Sequence, residues 1–299
     1  MKIGLCGTGK MGAAMTERLM GEGHELTVWN RTRERAQPVI DKGARWADSP
    51  AALAGASEAI IVMVYDDAAA LGVYEGEGGL ASADLNGKLV IEMSTIRPET
   101  VRRLAELVES KGGHFVECPV GGTVQPAREG QLLGMVGGSA EAVERARPIL
   151  DQLCKLHRHV GPVGAGAAMK LAVNLPLAIY WEALGEALSI AEAWGIDREV
   201  AGELLANSSG AIPAAKARIP PMLKVIDGGE PNPAAFALEG MVKDLGLMEH
   251  VSKEAGLDAP VVAAARACYA RAVADGWGNR DASLMPAWRV GANGLPKGR

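Results

Sequence analysis

The first residues with a chemically informative spacing lie near the N-terminus. The segment Gly7-Thr8-Gly9-Lys10-Met11-Gly12 fits the pattern GxGxxG and connects a short apolar run to a helical pattern. Glycines at these positions allow a tight turn and let backbone N–H groups approach a phosphate closely. The N-terminus of the following helix attracts a pyrophosphate. We therefore predict that Gly7, Gly9 and Gly12 form the phosphate-binding turn of a dinucleotide site.

The residues that end the second predicted strand indicate which dinucleotide is preferred. An NAD site usually carries a carboxylate there, which binds both ribose hydroxyls. This chain instead has Asn30-Arg31-Thr32. The guanidinium of Arg31 can pair with a 2′-phosphate and stack on adenine, and the hydroxyl of Thr32 can donate a further hydrogen bond. The sequence therefore predicts NADP(H) in preference to NAD(H).

A lysine and an asparagine in the second half of the chain could carry acid–base chemistry. Lys170 and Asn174 are four residues apart in a helical pattern, so their side chains leave the same face of the helix one turn apart. The stretch around Lys170 is otherwise apolar, which favours a buried amine over a solvated one. Its ammonium can donate a proton to an alkoxide that develops on a carbonyl substrate, and the carboxamide can orient the amine.

The elements that must position these residues alternate between short apolar strands and helices. Strands are predicted at residues 3–6, 25–29, 59–64, 89–93, 114–117, 131–137 and 155–160, and helices at 11–21, 33–42 and 140–150. This alternation is typical of a parallel sheet covered on both faces. After the Gly/Pro stretch at 161–166 the strand signal almost disappears. We predict a Rossmann-type doubly wound α/β domain at residues 1–163 and an all-helical domain at 164–299, with a loose tail at 291–299.

The composition excludes several classes of protein. The 299 residues carry 31 Lys and Arg against 36 Asp and Glu, and this charge of −5 argues against nucleic-acid or anionic-membrane partners. With 48% hydrophobic and 22% charged residues, the chain is globular rather than disordered. Scattered cysteines predict reduced thiols and a cytoplasmic location. His157 and His159 have no third ligand residue beside them, so we expect no metal site.

Several separate motifs resemble those of one enzyme family. They are Gly7 to Gly12, Met63-Val64-Tyr65-Asp66, Ser94 to Thr100, Cys118-Pro119-Val120-Gly121-Gly122, Gly164-Ala165-Gly166 followed by Lys170 and Asn174, and Phe236 with Lys243-Asp244-Leu245. Together they are similar to the β-hydroxyacid dehydrogenases, a family that includes 3-hydroxyisobutyrate dehydrogenase and the glyoxylate and succinic semialdehyde reductases. The similarity extends over about residues 2 to 290.

The resemblance implies an NAD(P)-dependent dehydrogenase or reductase acting on a small hydroxy acid or its aldehyde or oxo counterpart. It implies that Lys170 and Asn174 act in catalysis and contact the substrate. It adds Lys10, Met11, Asn30, Val64, Thr95 and Lys243 to the cofactor contacts, and it assigns Gly121, Gly122 and Thr123 to the substrate-binding turn. It also implies a homodimer or homotetramer formed through the helical domain.

The substrate-binding turn departs from the family pattern. Gly121 stands where the family usually has a serine, and Thr123 stands where a glycine is common. The departure affects the substrate and not the cofactor. Two alternatives therefore stay open: an imine reductase of similar fold, in which the lysine is usually replaced by Asp or Tyr, and a non-catalytic dinucleotide-binding module used for oligomerisation.

Overall fold

The computed structural model describes residues 1–292, and these form two compact units, Met1–Leu171 and the part of the chain from Ala172 onward. The first unit is built on a sheet whose strands are β1 (Lys2–Cys6), β2 (Glu25–Trp29), β3 (Arg45–Trp46), β4 (Ala59–Val62), β5 (Leu89–Glu92), β6 (His114–Glu117), β7 (Val120–Gly121), β8 (Leu132–Gly138) and β9 (Cys154–Gly161). Their order is β3-β2-β1-β4-β5-β6-β8-β7, and β9 pairs with β8.

The helices of the first unit connect these strands, and most of the later helices belong to the second unit. They are α1 (Lys10–Gly21), α2 (Gln37–Ile40), α3 (Pro50–Gly55), α4 (Asp67–Glu75), α5 (Pro98–Ser110), α6 (Val124–Arg128), α7 (Ala140–Leu153), α8 (Ala165–Ala193), α9 (Arg198–Asn207), α10 (Ala215–Ile226), α11 (Leu238–Glu254), α12 (Pro260–Ala272) and α13 (Met285–Ala292). The predicted fold class, an α/β sheet domain followed by an all-helical domain, is confirmed. None of the described helices is long and apolar enough to cross a bilayer.

Both faces of the sheet are buried along β1, β4 and β5, which explains the apolar runs in these central strands. In β4, Ile61 belongs to the core on one face, whereas Ile60 and Val62 belong to the core on the other. Leu5 of β1 pairs with Val28 of β2 on one side and with Ile61 on the other. Successive side chains of a strand point to opposite faces, so a strand covered on both sides has no polar positions to alternate.

The sheet departs from a purely parallel arrangement at one end. The strands β1 to β6 pair in parallel, but β8 runs antiparallel to both β6 and β7. Only ten residues, with the single short helix α6, separate the end of β7 from the start of β8. Antiparallel neighbours accept short connections, whereas a parallel pair needs a longer crossover.

Local predictions fail where the elements are short. The helix predicted at residues 33–42 is instead a 3₁₀ turn, Arg33–Ala36, followed by one short helix, α2. Pro38 lies in the first turn of α2 and has no N–H to continue the earlier turn. The predicted boundary after residue 163 lies just before α8, and the compact units divide within that helix. Residues 291 and 292 of the predicted tail end α13, and the rest lie outside the described residues.

The second unit is held together by helices that pack around apolar and a few polar groups. Leu184 and Leu188 of α8 are buried, as is Trp181. The hydroxyl of Tyr269 donates to the carbonyl of Ala178 at 3.2 Å. This hydrogen bond joins α12 to the middle of α8.

Candidate active site

The glycine turn after β1 is shaped to admit a phosphate. Gly7 has φ of +102°, and a Cβ at Gly12 would lie 1.9 Å from the carbonyl oxygen of Gly7, so both positions require glycine. A Cβ at Gly9 would meet nothing within 4 Å, so the packing of the protein itself does not require glycine there. No side chain caps the N-terminus of α1, and its first turn contains no acidic residue. The residues therefore fit a dinucleotide pyrophosphate at this helix terminus.

The segment after β2 is tied to this turn. The amide of Asn30 accepts the N–H of Thr8 at 3.1 Å and donates to the carbonyl of Thr32 at 2.8 Å. Arg31 and Thr32 are exposed. Asn30 thereby fixes the two neighbouring residues beside the glycine turn, with no carboxylate among residues 30–32.

The loops after β4 and β5, which carry Val64 and Thr95, are linked by hydrogen bonds. The N–H of Val64 donates to Oγ of Ser94 at 2.9 Å, and the N–H of Ser94 donates to Oε1 of Glu92 at 2.9 Å. The carboxylate of Asp67, the first residue of α4, accepts from the N–H of Arg97 and from the hydroxyl of Thr100 in the first turn of α5. Two sets of hydrogen bonds therefore tie the segment after β4 to the segment after β5, and Glu92, Ser94 and Asp67 were not predicted as site residues.

The predicted catalytic lysine lies in the first unit, near the start of α8. Lys170 is 7% exposed, although lysine is rarely buried unless it has a role or a partner. Asn174 follows one turn later in the same helix and is 9% exposed. The burial of the amine that the sequence indicated is thus observed for Lys170.

In the second unit, Asn174 is joined to the segment that was matched to the family by resemblance. Its amide nitrogen donates to Oδ2 of Asp244 at 2.9 Å. The ammonium of Lys243 lies 3.1 Å from Oδ1 of the same carboxylate, which is 3% exposed. Asp244 therefore orients the amide of Asn174 and pairs with Lys243, so its side chain is not a simple surface partner.

In the turn predicted to bind substrate, a Cβ atom would fit at Gly121 but not at Gly122. A Cβ at Gly121 would lie 3.5 Å from Cβ of Leu133 and 3.6 Å from the end of Met135, which are ordinary contact distances. Gly122 has φ of +126°, and a Cβ there would lie 2.8 Å from Leu132. Glycine is therefore required at Gly122 but not at Gly121, so the missing serine is not a steric necessity.

Another functional candidate was missed by the sequence analysis. Glu117, the last residue of β6, is fully buried, and its carboxylate accepts the N–H groups of Gly164, Gly166 and Ala167. The one signal in the sequence is a carboxylate at the end of an apolar strand, directly before the Cys118-Pro119 turn. Its partners are 47 to 50 residues away, so no local pattern could identify them.

The histidines on β9 have structural partners. His157 lies 2.7 Å from the carboxylate of Asp151, and His159 contacts the carbonyls of Gly138 and Gly161. Within residues 1–292, no group of three His, Cys, Asp or Glu side chains could hold a metal ion.

The fold and the candidate site are those of a nicotinamide-dinucleotide-dependent oxidoreductase. The features that indicate this class are a mostly parallel sheet, a glycine turn after its first strand that leads into a helix N-terminus, and a buried lysine. Residues 2–162 match the family model described as the NAD binding domain of 6-phosphogluconate dehydrogenase, and residues 164–288 match the one described as NAD-binding of NADP-dependent 3-hydroxyisobutyrate dehydrogenase. The chain belongs to the β-hydroxyacid dehydrogenase family and is an NAD(P)-dependent dehydrogenase or reductase of the 3-hydroxyisobutyrate dehydrogenase type.

Individual relatives agree with this assignment. The chain is 35% identical to glyoxylate/succinic semialdehyde reductase 1 of Arabidopsis thaliana, over 95% of this chain and 97% of the relative. It is similar to a structure of 3-hydroxyisobutyrate dehydrogenase from Mycobacterium tuberculosis with L-serine, with a TM-score of 0.84, 29% identity, and coverage of 95% and 97%. An imine reductase from Myxococcus stipitatus with NADP⁺ has a TM-score of 0.64, 22% identity, and coverage of 95% and 98%, which shows a shared fold.

The buried carboxyl of Glu92 makes the stability of the protein dependent on pH. Burial raises the pKa of this carboxyl to about 7 from 4.5; contacts with Ser94 and Tyr74 lower it, and the charge of Glu117 raises it. The folded protein therefore binds more protons than the unfolded chain between these pH values, so the free energy of unfolding falls as pH rises.

We expect this single group to remove about 2 kcal/mol of stability between pH 5 and pH 8. Glu92→Gln stays neutral throughout, so urea unfolding at the two pH values should show that much less pH dependence in the variant. Glu106→Gln, at an exposed position of α5, is the control and should keep the native dependence. Parallel pH profiles for the native protein and Glu92→Gln would contradict the expected titration.

Proposed function

We propose that the protein transfers a hydride between NADP(H) and a small hydroxy acid or its aldehyde or oxo counterpart, with Lys170 as the general acid and base. The burial of Lys170 in an apolar stretch of α8 is the observation that carries this proposal. A buried ammonium is desolvated and held in few orientations, so it is better suited to directed proton transfer than an exposed one.

In the direction of reduction, the ammonium of Lys170 donates its proton to the oxygen of the substrate carbonyl. When bound, NADPH supplies the hydride that the carbonyl carbon accepts. The lysine is left neutral and regains a proton from solvent, and in oxidation it removes the hydroxyl proton instead. Asn174 lies one helical turn beyond Lys170, and its amide is anchored by Asp244. We propose that this amide holds the substrate oxygen and the lysine amine in the relative position that proton transfer requires.

The cofactor is proposed to bind along the carboxyl edge of the sheet in the first unit. Gly7, Gly9 and Gly12, with Lys10 and Met11 at the start of α1, are proposed to hold the pyrophosphate. Val64 and Thr95 lie on the two linked loops after β4 and β5, and we propose that these loops contact the nicotinamide half. Lys243 is proposed as a further cofactor contact, on the basis of the family resemblance of its segment.

The preference for NADP(H) is proposed to depend on the residues after β2. Residues 30–32 contain no carboxylate that would repel a 2′-phosphate, and Arg31 is exposed beside the glycine turn. The amide of Asn30 is used to fix the backbone of Thr8 and Thr32, which leaves the phosphate to Arg31 and the Thr32 hydroxyl. The family model that matches residues 164–288 is itself described as NADP-dependent.

The substrate is proposed to be a small carboxylate bound at Gly121, Gly122 and Thr123. The A. thaliana relative is named for glyoxylate and succinic semialdehyde, which are both small acids with an aldehyde group. The absence of a hydroxyl at Gly121 favours a second candidate, reduction of a cyclic imine, which needs no carboxylate contact. An NADPH-oxidation screen across glyoxylate, semialdehydes, hydroxyisobutyrate and cyclic imines separates the two, and turnover of imines alone would overturn the carbonyl proposal.

We propose that the protein forms a homodimer or homotetramer through the second unit and acts in the cytoplasm; exposed apolar side chains support the assembly. Ile190, in the last turn of α8, and Trp194, directly after the helix, are 64% and 84% exposed. Val200 and Leu204 of α9 are 50% and 66% exposed. Neighbouring large apolar residues with this exposure are typical of a protein–protein interface.

Removal of Lys170 tests the acid–base role. Lys170→Ala should lower kcat for carbonyl reduction by roughly 10² to 10⁴, the usual contribution of a positioned general acid. The affinity for NADPH, measured by its fluorescence, should change little. Lys155→Ala, at an exposed position of β9, is the matched control and should keep native kcat. Full activity in Lys170→Ala would show that another group donates the proton.

Removal of Arg31 tests the cofactor preference. Arg31→Ala should lower kcat/KM for NADPH by about ten- to 100-fold, because a charged hydrogen bond to a phosphate contributes roughly 1.5 to 3 kcal/mol. The value for NADH should stay within about threefold, and Arg35→Ala should leave both cofactors nearly unaffected. Equal losses with NADPH and NADH would contradict a contact with the 2′-phosphate.

A charge on the exposed apolar face tests the proposed assembly. Trp194→Glu should shift the protein toward monomer in light scattering, because an unpaired carboxylate is costly to bury in an interface. Leu156→Glu, on β9 of the first unit, should keep the native mass. A native protein that is monomeric at micromolar concentration would refute the proposal directly.

A further inference from the structure

We propose that Glu117 is a positioning residue for proton transfer, which sets the place of Lys170 by holding the start of α8. The inference rests on the proposed acid–base role of Lys170. Glu117 is not assigned a contact with substrate or cofactor. Its effect is exerted through the helix backbone.

The carboxylate of Glu117 is the principal acceptor for the backbone N–H groups at the start of α8. Oε1 accepts the N–H groups of Gly164 and Gly166, the latter at 2.9 Å, and Oε2 accepts the N–H of Ala167 at 2.9 Å. The first N–H groups of a helix have no partner within the helix and carry its positive dipole end. Charged acceptors bind such groups about twice as strongly as neutral ones. A fully buried carboxylate with three backbone donors is therefore a stiff attachment.

The glycines of the Gly164-Ala165-Gly166 motif permit this attachment. Gly164 has φ of +99°, which other residues rarely adopt. A Cβ at Gly166 would lie 2.5 Å from the carbonyl oxygen of Met135 and 3.0 Å from Cδ of Glu117. The helix start can approach β8 and the carboxylate this closely only without side chains at these positions. The motif and the carboxylate of Glu117 together form one attachment between β6 and the start of α8, which we call the joint.

The joint lies one helical turn from the amine. Lys170 follows Ala167 by three residues in the same helix, and residues three apart lie on one face. No loop lies between the anchored N–H and the lysine, so a movement of the first turn moves Cα of Lys170 with it. Proton and hydride transfer depend steeply on placement, and a shift of about 1 Å can cost on the order of 100-fold in rate.

A second buried carboxylate shows that the arrangement at Glu117 is specific. Glu92 pairs with Glu117 across β5 and β6, but it binds the N–H of Ser94 in the loop after β5. The two carboxylates therefore support different segments, the loop that carries Thr95 and the helix that carries Lys170.

Glu117→Gln tests the proposal, because an amide of the same shape presents one acceptor and one donor to three N–H groups. With NADPH and glyoxylate or a semialdehyde, kcat should fall at least tenfold, while the dissociation constant for NADPH changes less than twofold. In the Lys170→Ala background, measured in single turnovers with excess enzyme, the same substitution should change the residual rate less than twofold. This lack of additivity is the signature of a residue that acts through the lysine.

Two further variants keep the test informative. Glu117→Asp retains the charge but is shorter by one methylene, so it should show a smaller loss of kcat with the same non-additivity. It takes the place of Glu117→Gln in the test if that variant does not fold. Ser139→Ala removes the side-chain cap of α7, which is remote from Lys170 in sequence and belongs to another helix, and it should lower the melting temperature without changing kcat.

Three results would overturn the inference. Native kcat in Glu117→Gln, with a large loss in Lys170→Ala, removes the positioning role and leaves the proposed function standing. A loss in Glu117→Gln that persists undiminished in the Lys170→Ala background shows a general structural role. Native kcat in Lys170→Ala overturns the proposed acid–base function and this inference with it.

Discussion

The backbone N–H groups at a helix N-terminus each need an acceptor, and this requirement organises the functional edge of the sheet. Two helices that begin with glycine patterns meet it in opposite ways. At α1 the N-cap residue is Gly9, which has no side chain to cap the helix, and the glycine turn leaves room for an anion. At α8 the carboxylate of Glu117 takes the N–H groups itself. One helix end is suited to receive a ligand, and the other is fixed to the sheet.

Burial of two carboxylates at the ends of β5 and β6 is costly, since a desolvated charge is stabilised only by good hydrogen bonds or a partner. The three N–H groups bound by Glu117 lower its pKa and so oppose the effect of burial, which still raises the pKa overall. Burial raises the pKa of Glu92 to about 7, although contacts with Ser94 and Tyr74 oppose it. Groups of this kind in the interior are better explained by the segments they hold than by any gain in stability.

The sequence predicts those strands and helices whose hydrophobic residues recur with a regular period or whose ends carry a recognisable turn signal. The strands β2 and β6 begin and end at the predicted residues, because in each a short segment with an apolar centre closely follows a glycine turn. The two-residue strands β3 and β7 have no period to detect, and the direction of β8 depends on the length of its connection. Pro38 interrupts the helix predicted at residues 33–42, because it lies in the first turn of α2 and has no N–H to continue the preceding 3₁₀ turn.

The same limit applies to the candidate site, where residues close together in the sequence are predicted and distant partners are not. The glycine turn and the pair Lys170 and Asn174 are visible because their chemistry lies within a few neighbouring residues. Glu117, Asp67 and Asp244 act on partners 30 or more residues away, so only the folded chain brings them together with those partners. Long-range partners of buried polar groups are set by tertiary packing, which a pattern in one sequence does not encode.

A crystal structure with NADP⁺ and a bound hydroxy acid tests the central claim most directly, through the distance from Nζ of Lys170 to the substrate oxygen. The account predicts a hydrogen bond of about 2.6 to 3.2 Å, with the reacting carbon against the nicotinamide ring. An amine that points into bulk solvent, with another side chain at the substrate oxygen, would contradict it.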